Sequence, residues 1–156
     1  MADRYAITNA GATDRAASTT VAAGAILALA NAASPTRRAS VYDLIFGTSS
    51  TPADNALTYY LQRHTAYTAS TSITPTPLVF AAPASTMAGK ADITAVTLTA
   101  GEYLLYFAAN QRSTQRWVAA PGSELVMPAT ADDGCTFSAV HASATPNCEV
   151  SILFEE

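Results

Sequence analysis

The residues of this chain that could carry out chemistry are two histidines and two cysteines. His141 falls on the same predicted strand face as Cys135, where a thiolate and imidazole pair is conceivable, whereas His64 ends a strand beside Arg63. Nothing around them resembles a known nucleophile setting, and no GxSxG, Walker A, GxGxxG or HExxH motif occurs. Cys135 and Cys148 lack the CxxC or close Cys/His spacing of a metal site. We therefore expect no enzyme activity, no cofactor and no metal.

The acidic residues offer one notable pair, Asp132-Asp133, followed by Gly134. These carboxylates could contribute to a calcium site, but the spaced oxygen ligands of a calcium loop are missing. Aspartate stabilises turns and glycine permits a positive φ, so the tripeptide predicts a turn.

The cysteines are far apart if the chain ends in a hairpin. With a turn at residues 143–146, Cys148 faces His141 and Cys135 faces Phe154. A disulfide needs Cα atoms within about 7 Å, so this register predicts two small buried apolar residues and no bond within the chain. A disulfide bond between subunits remains an alternative.

The elements that position these residues are predicted to be β-strands. In residues 38–48 both alternating faces are largely apolar, which indicates a central strand. The other predicted strands cover residues 56–65, 93–99, 102–110, 114–119, 124–127, 135–143 and 149–154. Strands at intervals of about 8–12 residues, separated by Pro, Gly and Asx turns, predict an all-β sandwich or barrel.

Residues 16–32 are the best helix candidate, because alanine favours helix. Thr19, Thr20, Val21 and Gly24 weaken that interpretation, and in an all-β chain we predict one or two strands here. Residues 1–36 are then an N-terminal arm or first strands, part of the same unit as the sandwich domain of residues 37–156.

Residues 65–90 are rich in Thr, Ser, Ala and Pro and are predicted to form a long exposed excursion. A loop of this length is uncommon unless it is functional, so we expect residues of this segment to contact a partner. The candidate contacts are Tyr67, Ile73, Pro75, Pro77 and Leu78. The other aromatic residues, among them Tyr60, Tyr103, Tyr106 and Trp117, mostly sit on alternating strand positions, where core packing explains them.

Charged residues make up only 13% of the chain, against about 25% in a typical domain. Interface cores are depleted in Lys, Glu and Asp, so a charge-poor surface favours burial against partners. A GC-rich genome, which favours Arg and Ala codons, would produce the same bias. The net charge of −4 argues against nucleic-acid binding. The one long apolar stretch, residues 21–30, is too short to span a membrane, so a soluble protein without a targeting segment is predicted.

The order of the segments resembles a family of small structural proteins of tailed bacteriophages and prophages. The matching stretches are RRASVYDLIFGTSSTPADNALTYYLQRHTA, SITPTPLVFAAPAS, GEYLLYFAANQRSTQRWVAAPGSELVMPA and the closing LFEE. Within them, Thr74 to Leu78 and Pro121 to Val126 follow the family's pattern, and the first thirty-odd residues match less well. The resemblance implies an antiparallel jelly-roll-like β-sandwich in the virion, and it carries over no catalytic residues.

Three functions are kept in view. The leading expectation is a capsid decoration (cement) protein on the phage head surface, made in the host cytoplasm. Its partners would be the major capsid protein and copies of itself, as a homotrimer, with no nucleic acid and no membrane. The alternatives are a tail, fibre or vertex-associated virion protein and a carbohydrate-binding attachment module.

Overall fold

The computed structural model describes residues 2–13, 16–32 and 37–156, and every regular element in them is a β-strand. The ten strands are β1 (Arg4–Thr8), β2 (Ala25–Asn31), β3 (Ala39–Thr48), β4 (Ala56–Ile73), β5 (Thr76–Pro77), β6 (Met87–Asn110), β7 (Gln115–Val118), β8 (Leu125–Met127), β9 (Gly134–Val140) and β10 (Cys148–Glu155). They form two antiparallel sheets. The all-β, sandwich-like class predicted from the sequence is therefore confirmed.

The strands pair in a nested order along the chain. β1 pairs with β10, β2 with β9, β3 with both β7 and β8, and β4 with β6. The first sheet has the order β5, β1, β10, β3, β7, with β8 beside the other end of β3. The second consists of β2, β6, β4 and β9, whose pairings close into a ring. The further pairs β10 with β3, β2 with β6 and β4 with β9 join these nested pairs into the two sheets.

Strict alternation of side chains places the core between the two sheets. In β10, Cys148, Val150, Ile152 and Phe154 are buried, while the residues between them are partly exposed. β3 lies between β10 and the pair β7/β8, which confirms the predicted central strand. A period of two residues is what a half-buried strand requires.

Four aromatic rings join the sheets at the centre of the core. Phe46 belongs to β3 of the first sheet, and its ring centroid lies 4.7 Å from that of Tyr59, 5.1 Å from that of Phe137 and 5.3 Å from that of Phe107. These three partners come from β4, β9 and β6 of the second sheet. Aromatic pairs prefer this tilted geometry. Phe46 therefore contacts three of the four strands of the second sheet, all except β2.

The predicted excursion over residues 65–90 is wrong for half of its length. β4 runs on to Ile73 and β6 already begins at Met87, so the two form a hairpin far longer than an ordinary strand pair. Small and β-branched residues suit this segment, in which Ala69 packs against a small buried cluster of Ala25, Ala28 and Ile93. Only residues 74–86 remain as a connection, and β5 lies within it.

The bend in the hairpin coincides with a large bulge in β6. Gln62 pairs with Tyr103 but His64 pairs with Leu98, so an advance of two residues in β4 corresponds to five in β6. Gly101, in this bulge, has a φ of 78°, a conformation that glycine adopts without strain.

The N-terminal residues contribute a strand to each sheet. β1 lies beside β10, and β2 confirms a strand in the segment 16–32, where Ala16 and Ser18 add single bridges. Asp92 holds the preceding segment in place, because its Oδ1 accepts hydrogen bonds from the Thr13 amide (2.8 Å) and hydroxyl (3.1 Å). The boundary predicted after residue 36 falls at residues 33–36, outside the described residues.

The predicted terminal hairpin is wrong, because β9 and β10 belong to different sheets. Cys135 pairs with Leu29 and Arg63, and Cys148 pairs with Thr48. Residues 141–147 cross from one sheet to the other, so the local pairing that the sequence suggests does not form. Both cysteines are nevertheless buried and free, which agrees with the prediction of two separate small core residues.

Candidate interaction surface

The five predicted contact residues occupy different environments. Pro77 and Leu78 are exposed at the end of β5. Pro75 is buried and Ile73 packs against the core. Tyr67 is half-buried, with its ring 5.5 Å from that of His64. The structure therefore groups Pro77 and Leu78 and leaves the other three out of this exposed group.

The largest exposed apolar group among the described residues begins at Leu78 and includes the two residues that follow it. Leu78 is 49% exposed, Val79 57% and Phe80 100%. We call residues 78–82 the apolar loop. A phenylalanine side chain held entirely in water is unfavourable, because burying its ring would remove a large apolar area from solvent. Isolated exposed apolar residues are ordinary, but three consecutive ones on one loop indicate a contact surface.

Hydrogen bonds at both ends hold the apolar loop in one shape. The Leu78 amide donates to the Arg4 carbonyl (2.8 Å), and the Tyr5 hydroxyl donates to the carbonyl of Pro83 (3.0 Å). Between these anchors the Ala82 amide donates to the Val79 carbonyl (3.1 Å). A side chain presented on a preorganised loop loses less conformational entropy on binding than one on a flexible segment.

The apolar loop lies in a long stretch of the chain that has no charged residue. No Asp, Glu, Lys or Arg occurs between Arg63 and Lys90 in the sequence. Beside Val79 lies an open cavity of about 320 Å³, lined also by Arg4 and Glu155, whose side chains form an ion pair at 3.5 Å. An apolar patch with an ion pair at its rim has the composition of a protein interface.

Three tyrosines form a second exposed group that the sequence assigned to the core. The Tyr60 ring lies 5.7 Å from that of Tyr103 and 5.3 Å from that of Tyr106, and the last two are more than half exposed. Alternation explains the error, because Tyr59 faces the core and its neighbour Tyr60 therefore faces outward. Burial, and then the neighbouring tyrosines, raise the pKa of Tyr60.

The structure does not assemble the Cys–His pair that the sequence raised. Cys135 is the second residue of β9, and His141 follows the end of that strand, about 20 Å away along an extended chain. His141 Nδ1 accepts hydrogen bonds from the amides of Ser143 (3.0 Å) and Ala144 (2.7 Å), so the imidazole organises a turn.

The turn predicted for Asp132-Asp133-Gly134 is confirmed at Asp132, but the positive φ expected of Gly134 is wrong, because Gly134 is the first residue of β9. Asp132 has a φ of 63°, and its amide donates to the Asn31 carbonyl (3.2 Å). The Asn31 amide in turn donates to the Asp133 carbonyl (3.1 Å). In residues 2–13, 16–32 and 37–156 no three His, Cys, Asp or Glu side chains are grouped so as to share a metal ion.

The two thiols are expected to be unreactive in the folded protein. Burial raises the pKa of Cys135 and of Cys148 to about 12, so at neutral pH neither forms the thiolate that attacks a disulfide reagent. We expect no thiol titration by DTNB under native conditions and two thiols per chain in denaturant. Rapid titration of either thiol in the native state would contradict the burial and would restore a disulfide between subunits as an option.

No described segment is a helix long and apolar enough to cross a membrane. Comparison with models of known protein families, with curated proteins and with solved structures finds no match. Function therefore has to be argued from the residues themselves and from the resemblance in the sequence.

Proposed function

We propose that this chain is a virion structural protein, a capsid decoration protein that binds the outer face of the major capsid protein and stabilises the head. The observation that carries the proposal is the apolar loop, which presents the fully exposed Phe80 on a backbone fixed by hydrogen bonds. Interfaces derive most of their binding energy from a few such anchors that enter a pocket on the partner.

A jelly roll is the architecture that we propose for this role. The nested pairing supports it, because a ribbon folded back on itself pairs its first strand with its last, its second with the one before the last, and so on inward. β1 with β10, β2 with β9, β3 with β7/β8 and β4 with β6 follow that rule. Double-sheet jelly rolls are common in viral capsid proteins and also in lectins.

The low charge supports binding to a protein lattice rather than to nucleic acid. The chain has one lysine and a net charge of −4, so little desolvation of charged groups opposes the burial of its surface. We propose a homotrimer on the head, since symmetry lets several weak contacts act together and each copy then needs little affinity.

The apolar loop is tested by a shell-binding experiment. We expect the purified chain to bind capsid shells that lack it, and the double variant Val79→Ser/Phe80→Ser to bind at least about 10-fold more weakly, because truncated anchors typically cost more than 1 kcal/mol. Cosedimentation with shells measures the affinity.

The matched control for this experiment is Val118→Ser on β7. Val118 is 56% exposed, as much as Val79, but it lies on a different strand and should leave binding unchanged. Equal binding of the double variant and the natural protein would exclude the apolar loop as the contact. No binding of the natural protein to shells would contradict the capsid proposal itself.

The number of copies of this chain per virion distinguishes a head protein from a tail protein. Quantitative mass spectrometry of purified virions should give hundreds of copies, in a simple ratio to the major capsid protein. A few to a few dozen copies would assign the chain to the tail, a fibre or a vertex, and no copies would remove the virion proposal.

A carbohydrate-binding module is the second candidate function, and the exposed tyrosines favour it. Tyr60, Tyr103 and Tyr106 offer aromatic faces and hydroxyls at the surface, which is what a sugar ring can stack on and hydrogen-bond to. Binding on a glycan array that is lost in Tyr103→Ala/Tyr106→Ala but kept in the apolar-loop variant would establish this function instead. The sequence suggested Tyr67 for that role, but its ring is half-buried against His64.

A further inference from the structure

The apolar loop contains a turn whose backbone is strained at an alanine. The Ala82 amide donates to the Val79 carbonyl (3.1 Å), so Phe80 and Ala81 occupy the two central positions of the turn. Ala81 has a φ of 68°, a positive value of the kind that a type II turn requires at its third residue, where glycine is usual. A residue with a side chain keeps this conformation only where its surroundings hold it, and such strain concentrates at binding sites.

Two of the contacts that hold the loop come from β1. The Arg4 carbonyl accepts a hydrogen bond from the Leu78 amide before the turn, and the Tyr5 hydroxyl donates to the Pro83 carbonyl after it. Burial, and then the charge of Glu156, raise the pKa of Tyr5, so at neutral pH its hydroxyl keeps the proton that it donates. These contacts fix residues 78 and 83, but they do not fix the return of the chain to β6.

Glu156 supplies the contact that fixes this return. Its Oε1 accepts a hydrogen bond from the Thr86 amide (2.8 Å), and its Oε2 accepts one from the Thr86 hydroxyl (2.7 Å). Both residues are partly buried, and hydrogen bonds to an ionised acceptor are about twice as strong as those between neutral groups. The Thr86 carbonyl also accepts from the Ala32 amide (3.1 Å), so Thr86 is held from two sides.

The alternation of side chains along β10 explains why Glu156 makes this contact and Glu155 does not. Phe154 faces the core, so Glu155 points outward, where it pairs with Arg4 at 3.5 Å, and Glu156 points inward again. The backbone of Glu156 continues the pairing of β10 with β1, because its amide donates to the Asp3 carbonyl (3.1 Å) and its carbonyl accepts from the Asp3 amide (3.2 Å). The carboxylate therefore projects from a fixed backbone.

We propose that Glu156 is a positioning residue of the apolar loop, whose carboxylate holds the strained turn in the shape that presents Phe80 to the partner. This role rests on the proposed function, in which the apolar loop binds the capsid protein. Without the two hydrogen bonds to Thr86 the turn can relax, and only the molecules that keep the original shape can bind. If about one fifth of them keep it, the apparent Kd rises about 5-fold.

Amide hydrogen exchange of the isolated chain, resolved by NMR, tests the positioning without a partner. In Glu156→Ala we expect the amides of Ala82 and Thr86 to exchange at least about 10-fold faster, because a hydrogen bond to a charged group is lost. The amide of Leu44, in the middle of β3, should keep its rate. Unchanged exchange of Ala82 and Thr86 would overturn the proposal.

Two further variants control the exchange experiment. Glu156→Gln keeps an oxygen that can accept from the Thr86 amide and gains an NH₂ group that can donate to the Thr86 hydroxyl, so it should retain most of the protection. Glu124→Ala is the matched control, because Glu124 also accepts a backbone hydrogen bond, from the Gly122 amide (3.0 Å), but in the turn between β7 and β8. It should leave the amides of the apolar loop unchanged.

Shell binding separates positioning from general support of the fold. Glu156→Ala should bind shells about 5-fold more weakly than the natural protein. In the background Val79→Ser/Phe80→Ser the same change should have no further effect, because a residue that acts through the anchors is silent once they are removed. Undiminished binding of Glu156→Ala, or an equal loss in both backgrounds, would overturn the proposal. Failure of the natural protein to bind shells would contradict the capsid proposal alone, and the exchange rates would still decide whether Glu156 holds the loop.

Discussion

Replacement of Phe46 by alanine is expected to lower the free energy of unfolding by about 4 kcal/mol. Phe46 is buried and is the ring of the first sheet that contacts Tyr59, Phe107 and Phe137 of the second. Its removal leaves a cavity between two sheets whose strands are held by backbone hydrogen bonds and relax little. Urea unfolding followed by the fluorescence of Trp117, the one tryptophan of the chain, measures the change.

Phe80→Ala is the matched control for this prediction. The same side chain is removed, but Phe80 is fully exposed, so unfolding should change by no more than about 0.5 kcal/mol. A loss below about 2 kcal/mol in Phe46→Ala would show that the four rings do not form the common core. A comparable loss in Phe80→Ala would show that the apolar loop is packed against the protein and is not free to bind a partner.

The sequence predicts the fold best where strand alternation is strong and local. β3 has apolar residues on both faces and is central, and β10 alternates and lies in the interior of its sheet. Pro, Gly and Asx residues mark the connections between most strands. These features depend on neighbouring residues alone, so they are visible before any tertiary contact is known.

The errors concern features that tertiary contacts decide. Residues 65–73 and 87–90 were predicted to lie in a loop because the segment is rich in Thr, Ser, Ala and Pro, but they form a hairpin whose Ala69 packs against a small buried cluster that includes Ala25 and Ala28 of β2. The terminal hairpin fails because β9 and β10 find distant partners, Leu29 and Arg63 for Cys135 and Thr48 for Cys148. Pairing between strands so far apart along the chain produces no recognisable pattern in the local sequence.

The sequence predicted only part of the candidate interaction surface. The excursion led to Pro77 and Leu78, and the fully exposed Phe80 lies two residues further on. The burial of Gln62, Thr136 and Ser138 could not be foreseen, because these residues have the alternation of an outer, water-facing strand surface. Only the bend of β4 and β6 turns that surface into an interior.

The stability of the protein is expected to fall by about 2–3 kcal/mol between pH 7.5 and pH 4.5 on account of His64 alone. Burial lowers the pKa of His64 from 6.5 to about 4, and the nearby backbone and charge of Asp132 offset this only in part. Between these two pKa values the unfolded chain binds a proton that the folded chain does not. Acidification therefore favours the unfolded state, and the contribution is fully present only above about pH 6.5.

His64→Asn removes this titration while keeping a side chain that can hydrogen-bond to Thr136. Free energies of unfolding measured from pH 7.5 to 4.5 should then fall less steeply than in the natural protein, with the difference approaching about 2–3 kcal/mol at the acid end. His141→Asn removes the other histidine and should leave the contribution of His64 in place. If the free energy of unfolding falls equally with pH in the natural protein and in His64→Asn, the imidazole takes up a proton in the folded protein.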